Sequence, residues 1–345
     1  HACGLILAVT LVLNVVVYIF IDPILNFLRV PEEVWGGMRE YLLIIFAGLL
    51  ATSLYNFFSC LLRALGNSTV PLVFLAVSAI LNIAWDLLFV AVFHWGIAGA
   101  AYATIFAQYV SGIGILLYVL FRCRSLLPER KDLRFDGGIL KEIAGLSSLT
   151  CLQQSVMNFG ILMVQGLVNS FGAITMAAFA AAVKIDTFAY LPVQDFGNAY
   201  STFVAQNYGA GNKERIRRGT KESFAISTAF SLVISALVFA FAAPLMQIFV
   251  SSAETAVIAS GIRYLRIEGA FYFGIGCLFL LYGYYRAIKR AEMSVVLTVI
   301  SLGIRVLLAY VLSATSLGET GIWMAIPIGW ILADLTGLLY MRKTW

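Results

Sequence analysis

A single carboxylate inside a long apolar segment is the residue of this sequence best suited to chemistry. Asp86 is the only charged residue between Arg63 and Arg122, and Asn82 stands one helical turn before it on the same face. An ionised side chain near the centre of a bilayer costs about 2.5–3.5 kcal/mol on insertion scales, so such residues usually serve a function. The structural alternative is that the Asp86 carboxylate caps or braces a helix through a hydrogen bond.

Two more polar side chains are expected at the same depth. If the chain turns near Trp95, Thr104 lies as far from the turn as Asp86 does, and Gln108 as far as Asn82. Nine residues of helix place Asp86 and Thr104 about 13 Å from the turn, near the middle of a core about 30 Å thick. Converging oxygens suit a hard cation, whereas a lone buried carboxylate suits a proton. These four residues are therefore a predicted cation site, with metal and proton coupling both open.

The second half of the chain carries a polar stripe. Gln154, Asn158, Gln165 and Asn169 fall within about 60 degrees of one another around a helix. Such a stripe faces either a water-filled cavity or neighbouring helices. We expect it to line the path of a substrate, with packing between helices as the alternative.

Three charged residues extend this predicted substrate cavity. Lys184 and Asp195 lie on the following helix, and Glu268 lies on a later one. Lys184 would repel a cationic substrate unless Asp186, Asp195 or another partner neutralises it, so its presence also leaves anionic and neutral substrates open. Glu268 is a candidate second protonatable site, with a structural ion pair to Arg266 as the alternative. A second expected pair joins Arg305 and Asp334 on the last two helices, although Asp334 is also close enough to a helix end to snorkel.

The elements that position these residues are membrane-spanning helices. The chain is 61% hydrophobic and 12% charged, whereas soluble domains are about 45–50% apolar and about 25% charged. A span needs about 20 mostly apolar residues. The sequence predicts an all-α integral membrane protein with ten spans: 2–21, 41–62, 71–92, 97–121, 144–169, 174–206, 223–249, 261–285, 291–312 and 321–341.

Basic residues divide the loops between two sides of the membrane. Most of the 23 Lys and Arg residues lie in alternate loops, whereas the intervening loops carry only Arg29, Arg39 and Arg263. The longest basic segment contains Arg122, Arg124, Arg130, Lys131, Arg134 and Lys141. By the positive-inside rule, the basic loops and the C-terminus are cytoplasmic in a multi-pass protein of the cell (inner) membrane. Because the positive charge is spread over short loops, a nucleic-acid partner is not expected.

An internal repeat relates the two halves at an offset of 223 residues. Residues 41–44 align with 264–267, and residues 63–65 align with 286–288. Because equivalent loops fall on the same side, the repeat is parallel. We predict an N-terminal lobe at 1–121 with four helices, a cytoplasmic linker at 122–143 and a C-terminal lobe at 144–345 with six. The simplest expectation is a twelve-helix fold whose first two helices are absent, and a natural ten-span protein is the alternative.

Several separated motifs carry a resemblance to a known family. The turn Arg63-Ala64-Leu65-Gly66-Asn67-Ser68-Thr69-Val70-Pro71, the pair Asn82 and Asp86, and the segment 194–218 containing Ala205-Gln206-Asn207-Tyr208-Gly209 are in register along the chain. Together they resemble the multidrug and toxic compound extrusion (MATE) family. The resemblance covers the entire chain and implies two lobes around a central cavity.

The resemblance implies a function and assigns roles. Family members exchange organic cations or other amphiphiles for sodium ions or protons, and the matching positions imply a cation site at Asn82, Asp86 and Thr104. The same site uses an aspartate on the first helix, so this chain is expected to hold only part of it. A lipid-linked oligosaccharide flippase of the same superfamily is the alternative. We expect a monomer without a cofactor, whose partners are the bilayer and a small, cationic organic substrate.

An enzyme is disfavoured by the residues themselves. The only histidines, His1 and His94, lie at the ends of predicted spans, and the five cysteines show no metal-binding spacing. A membrane-embedded enzyme would need a nucleophile, metal ligands or paired catalytic carboxylates. A transporter remains the best-supported class.

Overall fold

The fold was analysed in a computed structural model that describes residues 1–27, 30–124 and 135–344. Within those ranges all regular structure is helical, as the composition predicts. Nine of the described helices are long and apolar enough to cross a membrane, and a bent helix pair makes a tenth span. The prediction of ten membrane-spanning segments is confirmed. Arg29 and the predicted linker cations Arg130, Lys131 and Arg134 lie outside the described residues.

The chain divides into two compact units, His1–Ala144 (unit 1) and Gly145–Trp345 (unit 2). The described part of unit 1 contains five complete α-helices and one π-helical segment, which lies between the fourth and fifth helices. They are α1 (Ala2–Phe27), α2 (Glu32–Ala47), α3 (Leu49–Ala64), α4 (Thr69–Asp86), the π segment (Leu87–Val92) and α5 (Gly96–Arg122). Helix α5 packs against α2, α3 and α4 and so forms the centre of the unit.

Unit 2 contains the larger core. Its helices are α6 (Gly137–Asn169, which begins before the unit boundary), α7 (Ala173–Gly209), α8 (Lys213–Ala240), α9 (Ala242–Gln247), α10 (Thr255–Gly269), α11 (Tyr272–Ala287), α12 (Ala291–Ser313) and α13 (Glu319–Thr344). Helix α11 is nearly enclosed by α7, α8, α12 and α13. Residues 137–143, part of the predicted linker, are helical.

The repeat is visible in the helix boundaries. Adding the offset of 223 residues to α2 and α3 gives 255–270 and 272–287, which are the positions of α10 and α11. Both helix pairs are broken near the middle. The break between α2 and α3 lies at Gly48, and α10 and α11 bend by 51° between Gly269 and Tyr272. The sequence prediction of one continuous helix over 261–285 is therefore corrected. Backbone polar groups released at such breaks need partners inside a membrane.

Candidate functional site

Asp86 occupies a distinctive place in unit 1. It is the last residue of α4, and the π segment Leu87–Val92 follows it directly. Single π turns occur mostly as interruptions of α-helices, and they are frequent at functional sites. Its side chain is half-buried, and it forms no hydrogen bond or ion pair within the described ranges. The expected bracing hydrogen bond is thus not formed by these residues.

Aromatic contacts support the predicted register of α4 and α5. The rings of Trp85 and Phe106 are 5.9 Å apart, and those of Phe74 and Tyr118 are 6.4 Å apart. These pairs bring the level of Asp86 close to the level of residues 104–106. The antiparallel hairpin about Trp95 therefore has the geometry that the depth argument requires.

The remaining residues of the predicted cation site have unequal surroundings. Asn82 Nδ2 and Gln108 Oε1 are both buried without a hydrogen-bond partner among the described atoms. Thr104 Oγ1 donates to Ala100 O at 3.0 Å, so its lone pairs are still available. Buried amides without partners are uncommon and require an explanation, for which a bound ion or water is a standard candidate.

Gln108 also reaches an element that the sequence did not place beside it. A Cβ at Gly48 would clash with Gln108 Oε1, so the amide packs directly against the break between α2 and α3. The neighbouring Tyr109 hydroxyl donates to Ala47 O at 2.9 Å at the same break. The polar face of α5 thus satisfies backbone groups of a broken helix as well as facing α4.

The polar stripe of α6 is only partly buried. Gln154 and Asn158 are exposed on the surface of unit 2, whereas the adjacent Gln153 is buried. Gln165 is half-buried and donates to Asn169 Oδ1 at 2.9 Å, within the same helix. The stripe therefore bonds internally at one end and presents free amides at the other. Its assignment to a substrate path stays a prediction.

The charged residues of α7 point in different directions. Lys184 is exposed, with its Nζ 5.7 Å from the ring centre of Phe249, and Asp195 is exposed as well. Asp186 is buried, with 3% of its surface accessible. Residues two apart on a helix do not face each other. Asp186 therefore does not neutralise Lys184, contrary to one expectation from the sequence.

A buried polar cluster in unit 2, which we call the acid cluster, is the feature that sequence reasoning largely missed. It consists of the buried residues Asp186, Glu268, Tyr264 and Tyr272 and of the half-buried Arg305. The Tyr272 hydroxyl donates to Asp186 Oδ1. The Glu268 carboxyl and the Tyr264 hydroxyl lie within electrostatic contact of Asp186, and the charge of Arg305 acts on both carboxyls. Asp186 Oδ2, Glu268 Oε2 and Arg305 Nε nevertheless have no hydrogen-bond partner in the described structure.

The position of Glu268 follows from the break in its span. It lies in the last turn of α10, one residue before the 51° bend into α11. Discontinuous helices in transporters bring backbone carbonyls and polar side chains together around ions. A signal for the cluster was present in the sequence, because Tyr264 and Glu268 are four residues apart and so share a helix face.

Two expected ion pairs are not formed in the described structure. Arg266 is exposed and stacks over Phe239 at 5.2 Å, on the opposite side of α10 from Glu268. Asp334 is buried at 8% exposure beside Cys277, so it neither pairs with Arg305 nor snorkels to a helix end. Both corrections have the same cause: sequence spacing does not tell which way a helix is rotated in the bundle.

Comparison with known proteins establishes the family. A family model described as MatE matches residues 1–88 and 149–311. The chain belongs to the MatE family. A MATE relative, the probable multidrug resistance protein YpnP of Bacillus subtilis, is 31% identical over 323 residues, covering 93% of this chain and 71% of that protein. The probable multidrug resistance protein NorM of Thermotoga maritima is 26% identical over 328 residues, covering 92% and 70%.

Solved MATE structures confirm the two-lobe fold. A mutant of the Vibrio cholerae MATE transporter VcmN superposes with a TM-score of 0.92 at 23% identity, covering 99% of this chain and 77% of that one. The chain is therefore a multi-pass membrane protein of a transporter family, and its relatives are named as transporters. These comparisons give no support to the oligosaccharide flippase alternative.

Proposed function

We propose that this MATE protein is a secondary active antiporter that exports amphiphilic organic compounds in exchange for sodium ions or protons. The names of its relatives YpnP and NorM, both probable multidrug resistance proteins, support export. The observation that carries ion coupling is Asp86, a carboxylate inside a span that has no hydrogen-bond or ion-pair partner among the described residues. Such a group gains most from a bound proton or cation.

The ion site proposed first is that of Asn82, Asp86, Thr104 and Gln108. Gln108 Oε1, a buried acceptor without a described partner, and the Thr104 hydroxyl, with free lone pairs, stand on α5, and the Asp86 carboxylate stands on α4. Ion binding there would favour one conformation and substrate binding the other, so that competition couples the two fluxes. The acid cluster, with Glu268 at a helix break, is a second candidate for ion coupling.

The substrate path proposed for unit 2 uses residues of α6, α7 and α10. Gln154 and Asn158 present exposed amides, and Lys184 and Asp195 present exposed charges of opposite sign. Gln165 and Glu268 complete the set. A substrate of mixed polarity fits this surface, and we propose a small organic cation whose charge is met by Asp195. We propose further that the protein acts as a monomer, with lobes at 1–121 and 144–345 joined by 122–143 and with its basic loops and C-terminus in the cytoplasm.

The test is efflux of a fluorescent organic cation from cells that produce the full-length protein. Asp86→Asn keeps the size of the side chain and removes its charge, so we expect ion-driven efflux to fall to the level of cells without the transporter. Asp22→Asn is the matched control, because Asp22 is an exposed carboxylate of the same unit. Undiminished efflux by Asp86→Asn would overturn the assignment of Asp86.

The coupling ion is identified in the same cells. Efflux is measured with an imposed sodium gradient at constant pH and then with an imposed pH gradient without sodium. Glu268→Gln is included in both arms. Loss of coupling in Glu268→Gln but not in Asp86→Asn would move the ion site to the acid cluster and leave the antiport proposal intact.

A further inference from the structure

A cleft of about 720 Å³ lies at one end of unit 2, where the ends of α7, α11 and α13 meet the starts of α8 and α12. Its charged lining consists of Lys213, Arg217, Arg290 and Lys343, with Glu214 as the single carboxylate. These cations come from the start of α8, the start of α12 and the end of α13. Bringing four positive charges around one cavity is unfavourable unless anions neutralise them.

The floor and rim of the cleft suit a ligand with both polar and apolar parts. Tyr284 is buried at 3% exposure, and Ile216 is buried beside it, whereas Tyr208 is 48% exposed at the rim. The first turns of α8 and α12 also begin here, with their amide groups adding partial positive charge. Arg290 has one partner already, Glu292 at 3.5 Å on the surface.

The internal repeat shows that the same turn forms in unit 1 without these charges. The α3–α4 turn has Gly66 and Asn67, and the equivalent α11–α12 turn has Lys289 and Arg290. Both turns have a left-handed first residue, with φ of 85° and 60°, and the same 2.8 Å hydrogen bond from the second residue to the carbonyl five positions earlier. This is the helix-ending motif that glycine favours, because a Cβ strains the left-handed backbone.

Unit 2 therefore carries two cations where unit 1 forms the same turn without charge. The α7–α8 turn, which also borders the cleft, uses Gly211 at φ 71° in the same motif. A strained residue that persists where glycine would fit points to a role for its side chain. Arg290 lines the cleft and Lys289 precedes it in the chain, so both add to the positive charge at this end of unit 2.

We propose that this cleft binds the phosphate group of an anionic ligand, the headgroup of an acidic membrane lipid or a soluble phosphate compound. Basic pockets between transmembrane helices bind acidic headgroups on the cytoplasmic side of membranes. The positive-inside prediction places this end of unit 2 on that side. The inference is independent of the transported substrate, since none of the proposed ion-site or substrate-path residues lines the cleft.

The experiment titrates the purified full-length protein in detergent micelles with phosphatidylglycerol and, separately, with phosphatidylcholine, and counts bound lipid by native mass spectrometry. Inorganic phosphate is the third probe, added as a competitor and followed by thermal unfolding. The test variant Lys289→Gly/Arg290→Asn installs the turn of unit 1. The control Arg122→Asn/Lys221→Gln removes the same charge from exposed positions outside the cleft lining.

We expect the wild type to prefer phosphatidylglycerol and the test variant to bind it about 30-fold more weakly, since each basic residue contributes about a factor of five. The control should bind like the wild type. Protection by inorganic phosphate without lipid preference would identify a soluble phosphate compound as the source. Equal binding by wild type and test variant, or no binding of either probe, would overturn the proposal.

A second variant keeps the test valid if the turn exchange impairs folding. Lys343→Gln changes an exposed side chain near the end of α13, on a different element of the cleft. It should weaken phosphatidylglycerol binding about fivefold. Unchanged binding by a well-folded Lys343→Gln protein would count against the cleft as the site.

Discussion

The two units repeat one order of helices, but the charged residues inside their spans have different surroundings. In unit 1, Asp86 stands alone at the junction of α4 and the π segment. In unit 2, Asp186 and Glu268 are enclosed with two tyrosines, and Arg305 occupies the position that is equivalent to Asn82. The same backbone therefore carries an isolated carboxylate in one unit and a neutralising network in the other.

This difference predicts different responses to mutation. A carboxylate without partners contributes little to stability, so its removal should affect ion binding far more than folding. Members of a buried network depend on one another, and removing one leaves the others with uncompensated charge or an unmade hydrogen bond. Stability measurements therefore separate the two kinds of site without any transport assay.

The largest effect is expected at Arg305. Arg305→Met removes the positive charge that acts on the Asp186 and Glu268 carboxyls, and we expect the free energy of unfolding to fall by about 3 kcal/mol, the low end for breaking a buried ion pair, because Arg305 is half-buried. The measurement is denaturant or thermal unfolding in detergent. Asn82→Leu, at the equivalent position of unit 1, is the control and should change stability much less. Equal effects of the two substitutions would show that the acid cluster is not an electrostatic network.

A smaller effect is expected at Tyr272. Its hydroxyl donates to Asp186, and Tyr272→Phe should lower the free energy of unfolding by about 1–3 kcal/mol because a buried carboxyl oxygen loses its donor. Tyr18→Phe in unit 1 removes an exposed hydroxyl that donates to Leu43 O and should have little effect. If Tyr272→Phe unfolds like the wild type, water replaces the lost donor and the cluster is less closed than described.

Carboxylates at the helix ends also differ between the two units. In unit 2, Glu319 accepts from Thr175 at 2.8 Å and Ser260 at 3.1 Å and contacts Arg263 at 3.2 Å. Glu319→Gln should cost about 1 kcal/mol, because charge-assisted hydrogen bonds become neutral ones.

The ion pair compared with it in unit 1 joins Arg39 Nε and Asp22 Oδ1 at 2.7 Å, and both side chains are exposed. Asp22→Asn should leave the unfolding midpoint unchanged, since exposed ion pairs contribute little. Both variants are compared in one series of thermal unfolding curves at low and high salt. A larger loss in Asp22→Asn than in Glu319→Gln would reverse the ranking of the two units.

The smallest effect on stability is expected at Asp86. Asp86→Asn should unfold at the wild-type midpoint, because the carboxylate has no described partner to lose. Added sodium should stabilise the wild type but not the variant, because an ion that binds only the folded protein raises its stability. A variant that is clearly less stable than the wild type in the absence of ions would instead support a bracing role for Asp86.

Much of the fold could be read from the sequence because its signals are local. Runs of apolar residues and the turns at Gly66 and Gly211 delimit the spans, and the offset of 223 residues pairs α2 and α3 with α10 and α11. The register of α4 and α5 also followed from counting residues about Trp95. These features depend on composition and spacing along one or two helices.

The rotation of each helix within its unit was not accessible in this way. Sequence reasoning offered Asp186 as one partner for Lys184 and a structural ion pair as the alternative role for Glu268. Lys184 and Asp186, like Arg266 and Glu268, are two residues apart and diverge around the helix. The break beside Glu268 was also missed, because no proline marks it in the sequence. The π segment after Asp86 likewise has an ordinary apolar sequence.

The sequence by itself determined that the chain is helical, spans a membrane ten times and contains Asp86 as the only charged residue between Arg63 and Arg122, since long apolar segments and a costly charge within one of them are local features of the sequence. Only the tertiary structure decided that Asp186, Tyr264, Tyr272, Glu268 and Arg305 meet in one buried cluster. They come from three helices and from α11 beyond a break, and their meeting depends on packing between helices that no single segment specifies.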